Sequence, residues 1–409
     1  MKLGIISQWF APEESTLPNS LAVRSVNCGD EVIVLTAFPS YPQGVIYEGY
    51  SQESEFAEDL NGALVHRVKS FLSHDSSAAN RIRTFISFSI ASVIRSRVLA
   101  QNDVNYVYAT PMTAAWAAWW VRVRYGVPYV LHVQDLWPES ATSSGMMGKG
   151  PFVKVLNFVI SLMLKPLYSG ASEVVAIAPT MAKTLARRGV PEAKVSTVLN
   201  WDAGSPARSV DTRRASDASL RFVYAGNLGI MQDIETIVRA AALVQDCRNI
   251  EFHIYGSGIS ESTLTELVQD LGVSNITFHG RVSKSAMNDV YSSSDFQFVT
   301  LKDRPLFRMT IPSKFQASLA NGVPVITTVQ GDLSELCAKE GVGIAALPEN
   351  PESLAMAVRS AAQLSTERRW EMAENCRRLY SRKLSPEHGI ASIRQILQKA
   401  AEQRKMSTL

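Results

Sequence analysis

Two stretches of this chain gather residue types suited to holding an anion. In the first, Tyr224-Ala225-Gly226-Asn227-Leu228-Gly229-Ile230-Met231-Gln232-Asp233, a glycine turn lies between an apolar run and a helical pattern. Glycines allow the backbone close to a ligand, and the N–H groups at the start of a following helix attract phosphate. Gly226, Asn227, Leu228, Gly229 and Gln232 are therefore candidates for contact with a diphosphate. Gly-x-x-Gly turns also close strand–helix units for packing reasons alone. The second stretch, Arg304-Pro305-Leu306-Phe307-Arg308-Met309-Thr310-Ile311-Pro312-Ser313-Lys314-Phe315, brings three cations ahead of a helix whose start is marked by Pro312 and Ser313. Such charge would neutralise a departing diphosphate. Lys314 is the first choice, because the dipole disfavours a cation in the first turn of a helix unless something there requires it. Arg304 and Arg308 read equally well as solvated loop arginines.

The elements that must position these groups repeat one pattern. Short apolar runs at 3–7, 31–36, 104–109, 128–133, 174–178 and 195–199 read as buried parallel strands, with helical patterns between them. The segment 202–219, rich in Ser, Ala, Arg and Asp, reads as a linker, after which strands are predicted at 220–224, 250–255, 276–278, 296–299, 324–327 and 343–345. The fold class is α/β, with two doubly wound parallel sheets facing across a cleft where ligands of open α/β sheets bind. The boundaries read as 1–200, a linker 201–219, 220–385, and a C-terminal helix 386–409 that packs back on the first domain. Helices are predicted at 359–378 and 388–403. On the first domain Asp135, at a strand end, could orient or deprotonate a hydroxyl or simply cap a turn. His132 reads as a core histidine.

With 409 residues, 46% of them hydrophobic, the chain can core two domains. Its four cysteines, Cys28, Cys247, Cys337 and Cys376, lack the close spacing of a zinc site or a redox dithiol. They read as reduced thiols of a cytoplasmic protein, and no apolar run reaches the length of a membrane span. A net charge of +3 argues against nucleic acid as a partner. From Arg67 to Arg124, however, the basic residues Arg67, Lys69, Arg81, Arg83, Arg95, Arg97, Arg122 and Arg124 face only Asp75 and Asp103. Interleaved aromatic and aliphatic residues, and the apolar segment 152–167 flanked by Lys149, Lys154 and Lys165, suit peripheral contact with the inner face of a membrane as well as a solvated surface.

The chain resembles the family-4 retaining glycosyltransferases of the GT-B fold, in the bacterial branch serving O-antigen, capsule and exopolysaccharide assembly. The resemblance is carried by Gln8-Trp9-Phe10-Ala11-Pro12-Glu13, Pro39-Ser40-Tyr41-Pro42-Gln43-Gly44, Tyr47-Glu48-Gly49-Tyr50, Gln134-Asp135-Leu136-Trp137-Pro138-Glu139-Ser140, the turn at Gly226, Pro312-Ser313-Lys314 and Gly331-Asp332-Leu333-Ser334-Glu335. It implies transfer of a hexosyl or N-acetylhexosaminyl group, with retention, from a nucleotide-sugar such as a UDP-sugar to a glycan or lipid-diphosphate-linked acceptor. No metal or other cofactor is implied. The diphosphate would lie on Gly226–Gly229 and be neutralised by Lys314, with Arg304 or Arg308. Asn227, Gln232, Ser313 and Glu335 would bind the donor, and Tyr41, Glu48, Asp135 and Glu139 would face the acceptor. Two glutamates usual in the family fall on Met309 and Ala317, and a basic pair falls on Asn227 and Gln232. A UDP-sugar 2-epimerase on this architecture and a non-catalytic partner subunit are alternatives that these departures keep open.

Overall fold

The computed structural model describes all residues except 42, 53–55, 73–76, 140–150, 202–218, 284 and 409, and leaves the side chains of 78, 151–154, 156 and 405–408 undescribed. Most of the expected linker, with Pro42, Ser140 and Lys149, thus lies outside the described residues. The chain divides into two compact units, Met1–Leu199 with Gly389–Leu409, and Asn200–His388.

The first unit is an eight-stranded sheet built from β1 (Lys2–Ile6), β2 (Glu31–Ala37), β3 (Phe56–Leu60), β4 (Ala63–Val68), β5 (Val104–Ala109), β6 (Tyr129–Val133), β7 (Glu173–Ala176) and β8 (Val195–Thr197). Its order is β3-β4-β2-β1-β5-β6-β7-β8. All neighbours are parallel except the β3–β4 hairpin. The central strands are buried along nearly their whole length because helices cover both faces. The hairpin is absent from the sequence reading. Its alternating, half-exposed β3 gave no apolar run, yet Asn61 and Gly62, both at positive φ, form the Asn-Gly turn that announces a tight hairpin. Much of the C-terminal helix Pro386–Thr408 belongs to this unit, where Ile393, Leu397 and Ala400 are buried. There Arg394 pairs with Asp30, and Lys399 Nζ lies 2.6 Å from Glu173 Oε1.

The second unit is a six-stranded, wholly parallel sheet of β9 (Leu220–Ala225), β10 (Ile250–Tyr255), β11 (Ile276–Gly280), β12 (Phe296–Val299), β13 (Val325–Thr327) and β14 (Gly343–Ala345), ordered β11-β10-β9-β12-β13-β14. This is the doubly wound order whose direction reverses between β9 and β12, where a crevice opens at the carboxyl ends of the strands. Phe222, Phe252, Phe296 and Phe298 form its aromatic centre. The Phe222 and Phe296 rings stack with centroids 5.4 Å apart, and those of Phe252 and Phe298 with centroids 5.6 Å apart. The predicted helix 359–378 is two helices, Pro351–Ala362 and Thr366–Leu379. Ser365 starts the second, its hydroxyl accepting from the Arg368 amide.

Candidate functional site

Gly226 follows β9 at the reversal point, with φ at +150°, a conformation that L side chains rarely adopt. A Cβ there would stand 2.4 Å from Lys314 Cε. The absence of a side chain is therefore what lets the lysine lie across the turn. Lys314 is in the first turn of helix Ser313–Ala320, and its Nζ donates to Gln232 Oε1 at 2.6 Å and sits 5.1 Å from the Tyr224 ring centroid. Gln232 is fixed in turn, because Thr300 Oγ1, at the end of β12, donates to its carbonyl at 2.6 Å. Tyr224 Oη donates to the Asn227 carbonyl at 2.7 Å. Among the described residues Lys314 has no carboxylate partner, and burial pulls its pKa down to about 8. A half-buried ammonium held by neutral groups is set to receive an anion.

Beside the turn lies a pocket of about 240 Å³ lined by Gly226, Asn227, Tyr255, Gly256, Arg281 and Val282. Gly256, also at positive φ, abuts the Gly226 carbonyl so closely that a Cβ would come within 1.8 Å of it. The two loops therefore form one wall.

The structure revises how the turn can hold an anion. The Gly226 amide already donates to the Tyr255 carbonyl and the Leu228 amide to the Ser257 carbonyl. Leu228 itself is a core residue. Among the described backbone hydrogen bonds, none is donated by the Asn227 or Gly229 amide. The helix that follows, Ile234–Leu243, begins beside its own carboxylates, the buried Asp233 and the exposed Glu235, which take up the positive end of its dipole. The cationic side of this site is therefore Lys314 rather than the helix terminus.

The arginines are also placed differently from expectation. Arg308 forms a two-pronged pair with Asp303, at 3.0 Å and 2.7 Å, on the surface. Arg304 donates to the Asp303 carbonyl and lies 3.7 Å from Glu349. Each thus has a carboxylate of its own at the surface. Ser313 and Glu335 are exposed in the first turns of their helices.

In the first unit Asp135 lies just past β6, where burial pushes its carboxyl up, with the neighbouring Thr110 hydroxyl opposing the shift. The same burial, with the Asp135 charge, pushes the Tyr108 hydroxyl up to about 12. His132 is fully buried; its Nδ1 meets Tyr106 Oη at 2.6 Å, and burial brings its pKa down to about 3. Tyr41 is exposed beside Trp9, their ring centroids 5.3 Å apart, and Glu48 is exposed on the same loop. Glu139, expected toward an acceptor, is engaged by Arg188, which also donates to the Trp137 carbonyl at 2.9 Å. Among the described residues, no group of three His, Cys, Asp or Glu side chains is placed to hold a metal ion.

Residues 17–201 match the glycosyl transferase 4-like domain, and residues 219–363 the glycosyl transferases group 1 domain. The chain belongs to the glycosyltransferases built from this pair. Among curated relatives, Escherichia coli K12 WcaI, named for colanic acid biosynthesis glycosyl transfer, is 26% identical over 82% of this chain and 85% of its own. Pseudomonas aeruginosa WbjE, named as a glycosyltransferase, is 23% identical over 68% and 70%. Among solved structures, Anabaena HepE in complex with UDP and glucose aligns over 97% of this chain and 99% of its own, with TM-score 0.65 and 13% identity. Sucrose-phosphate synthase of Thermosynechococcus elongatus aligns over 97% and 98%, with TM-score 0.70 and 16% identity. The fold is GT-B, and the enzyme is a glycosyltransferase.

One residue of this glycosyltransferase carries more than the sequence suggested. Glu13 is buried, and its Oε1 accepts from the amides of Ser40 and Tyr41 at 2.7 Å and 2.8 Å while its Oε2 accepts from the Phe10 amide at 3.2 Å. It clamps the loop that presents Tyr41. Ala317 stands one turn past Lys314 on the same helix, and Met309 ends the short turn Phe307–Met309, so neither position supplies a carboxylate.

Proposed function

We propose that this glycosyltransferase moves a sugar from a nucleotide-sugar, a UDP-sugar, to a lipid-diphosphate-linked or glycan acceptor of a surface polysaccharide such as O-antigen or capsule. It does so with retention at the anomeric carbon and at the cytoplasmic face of the inner membrane. The observation that carries this reading is the Lys314 ammonium, half-buried over Gly226 with only neutral partners among the described residues, beside a pocket of about 240 Å³. HepE, which shares the fold, was crystallised with UDP. In the reaction the bond from the anomeric carbon to the diphosphate oxygen breaks and a bond to the acceptor oxygen forms on the same face. The acceptor proton passes to the departing diphosphate or to Asp135. Lys314 counters the charge that grows on the leaving group, so the proposal uses no resident metal ion.

Titration of UDP tests it. A lysine with a pKa of about 8 binds the diphosphate as the ammonium, so binding near pH 8 should take up protons. Above that pH, affinity should fall by up to about tenfold per unit until the pKa of the bound state is reached. Calorimetry in two buffers of different ionisation enthalpy reads the uptake. Absent UDP binding, or binding indifferent to pH between 7 and 10, contradicts the assignment.

Asp135 is assigned to the acceptor hydroxyl, and the burial that raises its pKa makes it a better proton acceptor than a solvated carboxylate. The Asp135→Asn variant should keep UDP affinity within a factor of about two while kcat falls by about 10² to 10⁴. Should UDP affinity collapse with it, the residue serves the donor or the fold instead.

A further inference from the structure

The helices Ala78–Arg95, Ala115–Tyr125 and Pro151–Gly170 connect β4 to β5, β5 to β6 and β6 to β7. All three crossovers run the same way across the sheet, so right-handed connection puts them on one face. There the first packs beside the second and the second beside the third. Each turns an apolar stripe outward. On the first, Ile82, Ile86, Ile90 and Ile94 recur at every fourth position, and Ile94 is 79% exposed. On the second, Trp120 and Val123 are exposed. The third buries Leu164 and Leu167 against the sheet, yet presents Val155, Phe158 and Leu162 on its other side, with Phe158 69% exposed. Neighbouring stripes of this kind exceed the scattered apolar residues normal on a soluble surface.

Charge selects the occupant. None of the three helices contains an Asp or Glu, whereas they carry Arg81, Arg83, Arg122, Arg124 and Lys165, all exposed. Arg67, counted in the basic stretch of the sequence, is not among them: it is buried, 2.5 Å from Glu58, and donates to the carbonyls of Ala37 and Ala11. What remains is an apolar face flanked by cations, the composition of helices that lie in the interface of an anionic bilayer. No described helix is long and apolar enough to cross a membrane.

We infer that this layer docks flat on a bilayer containing anionic phospholipid. The inference rests on the lipid-linked-acceptor reading only for its purpose, since vesicles without acceptor test the surface alone. The full chain should co-sediment with vesicles of phosphatidylcholine plus phosphatidylglycerol at low salt. It should bind pure phosphatidylcholine vesicles more weakly and be released as salt rises, since each surface cation is worth about fivefold in partitioning. An Ile90→Glu/Phe158→Glu variant should lose more than about tenfold of that partitioning, with UDP binding unchanged. Arg83→Gln/Arg124→Gln, a milder surface change, should reduce the preference for the anionic vesicles while keeping the melting temperature. Equal or absent binding to the two vesicle types overturns the inference, as does binding that neither variant alters. A dimer in sedimentation velocity that the glutamate variant abolishes would assign the face to a second copy and overturn it likewise. Vesicle binding without UDP binding would sink the donor assignment and leave the surface standing; the reverse result would do the opposite.

Discussion

Replacing Lys314 by alanine should lower kcat/KM by about two to three orders of magnitude, the effect of removing one preorganised contact to developing charge, worth about 3 to 4 kcal/mol. Stability should move little. Burial holds this lysine's pKa at about 8, below its ordinary value of 10.5, so the folded state disfavours the ammonium. That unfavourable contribution is complete below about pH 8 and fades as pH climbs toward the unfolded lysine value. Deleting the side chain removes the penalty together with the Gln232 hydrogen bond and the contact with Tyr224, and these oppose one another. The melting temperature of Lys314→Ala should therefore stay within a few degrees of wild type. A folded variant with undiminished kcat/KM would take Lys314 out of the reaction.

Gly226→Ala should cost almost as much in turnover by a different route. The residue sits at φ +150°, and its new methyl group would stand 2.4 Å from Lys314 Cε. Because the obstacle is the far end of a flexible side chain, the lysine swings off the turn before the sheet gives way. Loss of about 10² in kcat/KM is expected, with about 1 to 3 kcal/mol of stability lost to backbone strain. The two changes strike one contact, so the double variant Gly226→Ala/Lys314→Ala should turn over no more slowly than Lys314→Ala alone. Additive losses in that cycle would show that Gly226 acts through something other than the lysine.

Much of the architecture could be read from residue order because the strands of both units are buried on two faces. Runs such as Leu3–Ile6 and Val174–Ala176 are then apolar without alternation. The β3–β4 hairpin escaped because one face of β3 meets solvent and only Asn61-Gly62 marks it. The meeting of Lys314 with Gly226 was legible because each violates a local preference, a cation in a first helical turn and a backbone that only glycine adopts readily. Arg304, Arg308 and Glu139 were not, because a charged side chain shows its type but not whether Glu349, Asp303 or Arg188 has already claimed it. Nor does the order of residues show that the Gly226 and Leu228 amides go to Tyr255 and Ser257. Glu13 was hidden for the same reason. Its three amide donors belong to Phe10, nearby, and to Ser40 and Tyr41, which only folding brings to it.

The partition of the chain has a consequence for its birth. Because residues 389–409 complete the unit that begins the sequence, the other unit is, in topological terms, an insertion into its host. During synthesis the inserted unit has all of its own residues first. The host must wait, with Asp30 and Glu173 lacking Arg394 and Lys399, until the last helix is made. The host's last contacts thus form only after the inserted unit has all of its residues, although most of the host is made before it.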